Sequence, residues 1–266
     1  MRVASSTTMK LRKNTIQRFG ASALLLCTLC FLSVLPLSGA QVNIFGTGVN
    51  NSNVVLVGGT QDPHWTITGT TQPAAPNSNT FVAQPCSTFG DCGSAPSNFP
   101  FNIWATSSTN AWISPFNADP NSLPTAGYIY DFSQNFNLTG FILSSVSITL
   151  NWAADNCANI FVNGTQLTST NCSLPANQNQ FNPKQPIVIT NASIIAAGGS
   201  GLNASGANTI TFRVQNAASA QPDPSGLLVE VTSATGNTTG IPEPATLFGV
   251  GLGLSIVGLA YRRRRS

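Results

Sequence analysis

Apolar and polar residues alternate most clearly over Val146, Ile148, Leu150 and Trp152, with Ser147, Thr149 and Asn151 between them. A period of two places the first four on one face of a strand and the other three on the opposite face. Ile210, Phe212 and Val214 repeat the pattern within 209–215. Short runs rich in Val, Ile, Phe and Trp, set between turn residues, predict further strands over 54–57, 65–68, 80–83, 102–105, 127–132, 159–162, 166–168, 187–190 and 227–232. No apolar run of useful length has a helical period. Short strands at this density over about 200 residues predict an all-β fold, a single antiparallel β-sandwich over 41–235 rather than two domains.

The connections carry their own signals. Asn163-Gly164, between Ile160-Phe161-Val162 and Gln166-Leu167, predicts a tight hairpin, because both residues tolerate the positive φ of a type I′ turn. The segment 119–125, with Pro120 and Pro124, reads as a surface loop, as does 196–207 with its four glycines.

Charge divides the chain in three. Of 11 basic residues, Arg2, Lys10, Arg12, Lys13 and Arg18 precede the first apolar run and Arg262, Arg263, Arg264 and Arg265 close the chain. Between residues 41 and 240 only Lys184 and Arg213 stand against six aspartates and Glu230, a net of −5. Such a body has no basic surface with which to neutralise phosphates, which argues against a nucleic-acid partner.

The apolar run over 21–35 follows the basic segment and ends in Pro36-Leu37-Ser38-Gly39-Ala40, with small residues three and one before a cut between Ala40 and Gln41. This is the pattern of a secretory signal peptide over 1–40. Removing it takes Cys27 and Cys30 and leaves Cys86, Cys92, Cys157 and Cys172. An even number in an exported chain reads as disulfides, and sequence proximity favours Cys86 with Cys92 and Cys157 with Cys172 among the three possible pairings. Neither spacing is that of a zinc site, and His64 is the one histidine, so no metal is expected.

The tail over 236–266 holds Pro242, Glu243 and Pro244, then apolar residues 247–260, then Tyr261 and the four arginines. As a helix, 245–261 would reach about 25 Å, enough to span a thinned bilayer with the arginines left cytoplasmic. The order of motif, span and basic cluster resembles the PEP-CTERM sorting signal of Gram-negative bacteria. That resemblance implies an exosortase partner alongside the secretion machinery, transient anchoring in the inner membrane, cleavage near the motif, and delivery to the cell surface or an exopolysaccharide matrix.

Within the body, Trp152-Ala153-Ala154-Asp155-Asn156, the Asn163-Gly164 hairpin, Asn208 to Val214 and Pro224-Ser225-Gly226-Leu227 are similar to a galactose-binding-like jelly roll, with Asp62-Pro63-His64-Trp65 and Trp112-Ile113 in its first half. The resemblance implies a sandwich that hosts lectins, accessory modules and structural domains alike.

Trp104, Trp112 and Tyr128 offer flat faces for sugar rings, and Asp155 with Asn156 offers oxygens for hydroxyls or a structural calcium; no other cofactor is implied. Trp152 and Trp65 share faces with Leu150 and Ile67 and are expected in the core, whereas Trp104 and Trp112 lie near loop ends and are expected to be the more exposed. His64 has no second histidine and no Gly-x-Ser-x-Gly elbow to build a triad with, although Asp119 and Asp131 remain a conceivable glycosidase pair. The sequence therefore favours a noncatalytic surface or matrix protein, with a carbohydrate-binding module as the alternative and a hydrolase behind both.

Overall fold

The computed structural model describes residues 39–73, 78–84, 103–117, 126–168, 170–175, 179–218 and 224–239. The chain divides into a unit over Met1–Ser38 and one over Gly39–Ser266, and every described residue lies in the second. Residues 1–38 of the signal peptide, Cys86, Cys92, Asp119 and residues 240–266 of the tail, with Pro242, Glu243, Pro244 and the arginines, lie outside the described residues. Among those described, no helix is long and apolar enough to cross a membrane.

The described body is all-β, one curled antiparallel sheet. Its strands are β1 (Ala40–Gln41), β2 (Gln61–Thr70), β3 (Asn79–Val82), β4 (Ile113–Ser114), β5 (Ile129–Asn137), β6 (Ser147–Asp155), β7 (Cys157–Val162), β8 (Thr165–Gln166), β9 (Gln185–Thr190), β10 (Ala207–Gln215) and β11 (Gly226–Gly236). They pair in the order β8-β7-β10-β5-β2-β3-β4-β11-β6-β9, with β1 added to the end of β11. Five strands separate β6 from β10 along that path, yet the rings of Trp152 and Phe212 lie 5.9 Å apart. The sheet thus folds over itself, and Ile148, Leu150 and Trp152 of one leaf meet Ile210, Phe212 and Val214 of the other in a common core. This is the face that the period-two alternation selects.

The Asn163-Gly164 hairpin joins β7 to β8, with φ of 50° and 79° at the two turn residues. Cys157 and Cys172 form the predicted disulfide and pin the segment after β8 back to the start of β7.

Three expectations are corrected. The run 54–57 is no strand: Val55 makes a single bridge to Val49, and Val54 and Val57 stand exposed. Residues 103–105 also lie outside the sheet, in a loop whose Ala105 N–H donates to the Phe181 carbonyl. A one-and-a-half-turn helix, α1 (Asn191–Ala196), follows β9 directly, started by a capping box in which Thr190 and Ser193 exchange side-chain and backbone hydrogen bonds. Six residues are too few to display a helical period, and only Ile194 is buried.

Candidate functional site

The structure gathers the predicted site residues at one end of β11. Asp155 pairs with Gly226, the first residue of that strand, and is buried. Asn156 follows at the β6–β7 junction, where its N–H donates to the Gln215 carbonyl, its carbonyl accepts from Gln180, and its Oδ1 accepts from the Ala217 N–H at 2.6 Å. The amide oxygen expected to meet a hydroxyl or a cation is therefore tying β7 to the exit of β10. Tyr128, half-buried, stands beside it: its carbonyl accepts from Asn216, and its ring lies edge-on to Tyr130 at 6.4 Å.

Trp104 and Trp112 reach the same end but not the surface. They are 3% and 0% exposed, with ring centroids 4.1 Å apart, which overturns the expectation that they were the accessible pair. The cause is tertiary. Ala153 and Leu228 project from β6 and β11 on the face opposite the core, and the loop carrying Trp104 folds back to cover them in a second, smaller apolar cluster with Ala83 and Ala105. Within it the Trp112 indole donates to the Ala105 carbonyl at 2.8 Å. Trp104 approaches so closely that a Cβ on Gly226 would sit 2.8 Å from its ring, so a side chain there would force the indole out.

The other candidates are also structurally engaged. Asp62 is buried and accepts from the N–H groups of Gly48, His64 and Trp65; burial pushes its carboxyl above the usual range against the pull of those donors. His64 stacks flat on Phe45 at 3.7 Å, and its Nε2 is buried without a partner. Asp131 holds Arg213 through both oxygens at 2.8 and 2.9 Å, which raises the guanidinium further, and Arg213 lies over the Phe161 ring.

Clefts indent the described surface near these residues. One, of about 260 Å³, borders the Phe45–His64 stack, Ser133 and Gln134. Gln134 spends its amide there on the N–H and carbonyl of Phe45, standing in for a strand partner. Another, of about 220 Å³, lies beside the disulfide, with Trp152 walled by Thr170, Asn171, Gln180 and Gln185. Sequence reasoning assigned Trp152 to the core and gave the glutamines no role, since isolated amides in so polar a chain carry no spacing signal.

A family model described as the PEP-CTERM protein-sorting motif matches residues 240–265. The C-terminal tail is therefore a protein-sorting motif, and the chain is one marked for export and sorting. No curated protein matches the sequence. Among solved structures, the crystal structure of the GH31 α-xylosidase from Xanthomonas citri aligns at 11% identity and a TM-score of 0.23, covering 42% of this chain and 11% of that one. A likeness of that size carries no argument about fold or activity.

Proposed function

We propose that this protein is an exported, noncatalytic component of the cell surface or extracellular matrix, delivered there by an exosortase that acts on its tail. The observation that carries the reading is the sorting motif over 240–265. Two prolines around Glu243 hold an extended, non-helical segment, a shape that a transpeptidase cleft accepts. The apolar residues behind it serve as a transient inner-membrane span held by Arg262 to Arg265. The body is a jelly roll of the galactose-binding-like kind, with carbohydrate recognition as its second reading; clefts walled by uncharged side chains favour that reading.

The geometry of β11 fits this arrangement. Ala40 and Gln41 pair with Gly236 and Thr235, so both chain exits lie at the C-terminal end of the strand. Trp104, Trp112 and Asp155 cluster at its Gly226 end, about 33 Å away for eleven residues of strand. A body tethered by its tail would therefore hold that end away from the membrane. The noncatalytic reading draws support from Asp131, whose carboxylate is occupied by Arg213.

Substituting Glu243→Ala in the native host tests the sorting half. Wild-type protein should reach the surface fraction without its arginines, and the variant should stay in the inner membrane with them. Equal processing of both would overturn the proposal.

A further inference from the structure

The strand order leaves two sheet edges, β8 and β9, and the space between them is where the curled sheet fails to close. One stretch of this seam is sealed: Ile194 of α1 is fully buried, and Gly199 packs against both Ile194 and Thr165 so tightly that a Cβ would fall within 3 Å of each. The other stretch is the 220 Å³ cleft beside the disulfide, lined by Ile187 of β9, Thr170 and Trp152 among others.

Trp152 is the unusual member of that cleft. Its side chain is 4% exposed, so more than nine-tenths of it is buried. Trp65 and Trp112 each donate their indole N–H to a backbone carbonyl, of Gly46 and Ala105. Among the described residues the Trp152 N–H finds no acceptor, and Trp152 lines the cleft. Buried indoles ordinarily find an acceptor. Across from it, Gln185 uses its Nε2 on the Pro183 carbonyl and leaves Oε1 without a donor. Thr170 and the Gln180 carbonyl oxygen are already committed, to Leu167 and Ile160 and to Ala158.

An open donor on Trp152 and an open acceptor on its cross-strand partner Gln185, both lining one small cleft, match a hydroxyl group, which accepts and donates at once. Among the described residues no charged side chain lines the cleft, so none there would offset the desolvation of an anion. Its volume falls below the usual range for drug-sized ligands, so it admits one ring and not an oligosaccharide chain. The nearby Lys184 ammonium is held by Glu230 and the Thr106 carbonyl. The Phe45–His64 groove lacks this character, since its Gln134 amide is spent.

We infer that the seam cleft binds one neutral monosaccharide unit, with the Trp152 indole N–H donating to a sugar hydroxyl and Gln185 Oε1 accepting from one. Because Trp152 is only 4% exposed, the site recognises hydroxyls by hydrogen bonding and not by ring stacking. The inference rests on the carbohydrate-recognition reading of the body and adds a place and a single-ring ligand to it.

The test uses the full-length chain in detergent micelles, titrated with glucose, galactose, mannose and, as a charged contrast, galacturonate, while the four indole N–H resonances are followed by NMR. A saturable shift of one indole signal, absent in Trp152→Phe and produced by a neutral hexose but not by the uronate, is expected. Calorimetry should show affinity falling about tenfold in Trp152→Phe and about threefold in Gln185→Ala. No saturable shift at millimolar hexose, or affinity unchanged in Gln185→Ala, would overturn the inference even if Trp152→Phe failed to fold. A shift produced also by a neutral exopolysaccharide would place the ligand at a chain end, and one produced by free hexose alone would make it a soluble sugar. Release of reducing ends during the titration would instead contradict the noncatalytic reading and leave the site standing.

Discussion

Trp152 and the Trp104–Trp112 pair lie on opposite faces of the same leaf and all three are buried, Trp152 as its alternating strand predicts and the pair against what their loop-end positions predict. Trp152 sits in an alternating strand and does face the core, but at the seam where the curled sheet leaves a gap beside its indole. Trp104 and Trp112 sit near loop ends, yet their loop folds over Ala153 and Leu228 and buries them. Alternation reports the face of a strand on which a side chain lies. Whether that face is covered depends on elements far away in sequence, and only the folded chain decides it.

The disulfide offers the strongest way to disturb this contrast. It holds Cys172, next to Asn171 of the cleft wall, to the start of β7 across a separation of 15 residues. Closing a loop of that length contributes about 3 kcal/mol in the chain-entropy picture. Replacing both cysteines by alanine should lower stability to denaturant by about that amount and weaken any ligand response at Trp152, while the Trp104–Trp112 cluster keeps its fluorescence until global unfolding. Loss of the Trp104–Trp112 signal ahead of the rest would show that the two regions are not independent.

Paired indole-to-phenyl exchanges sharpen the contrast next. Trp112→Phe strands the buried Ala105 carbonyl and should cost about 1–3 kcal/mol beyond the loss of ring volume. Trp152→Phe removes a donor that bonds no protein group, so its cost should be limited to packing. Chemical denaturation of the two variants should therefore separate them by about 1–3 kcal/mol, and equal losses would contradict the assignment of a free N–H to Trp152.

A third buried ring gives the smallest effect. Tyr130 donates to Gln72 Oε1 at 2.9 Å, and burial, with the neighbouring Tyr128, pushes its phenol well above the ordinary value of 10.0. The folded state thus favours the protonated phenol. The associated stability is fully present below pH 10 and is lost as pH rises from there toward the folded value. Tyr130→Phe should flatten that alkaline limb in denaturation experiments at pH 8 and pH 11.

Much of the sheet is legible in the sequence. The alternations over 146–152 and 209–215 locate β6 and β10, and Asn163-Gly164 locates the turn after β7, because these signals rest on local backbone and side-chain geometry. What resists reading is short or nonlocal. β4 has two residues, β1 exists only by pairing with Thr235 and Gly236, and α1 depends on a Thr190–Ser193 cap in place of a periodic apolar face. Among the site residues, Tyr128, Asp155 and Asn156 do come together at one end of β11, but Asn156 is tied to Ala217, 61 residues later, a partner that no local motif announces. The seam cleft is less legible still, since Trp152 and Gln185 meet only as partners across the β6–β9 ladder, which no local motif announces. The tail is the opposite case: its motif, apolar run and arginines are contiguous, and the family match falls on the same residues.

Intact mass of the mature protein from its native host, before and after reduction and alkylation, tests the central claim most directly. The account predicts an N-terminus at Gln41, a C-terminus near Pro244, and a mass gain on alkylation that includes Cys157 and Cys172. A mature chain that still ends in Arg262 to Arg265 and Ser266 would contradict sorting by cleavage and leave an uncut membrane protein.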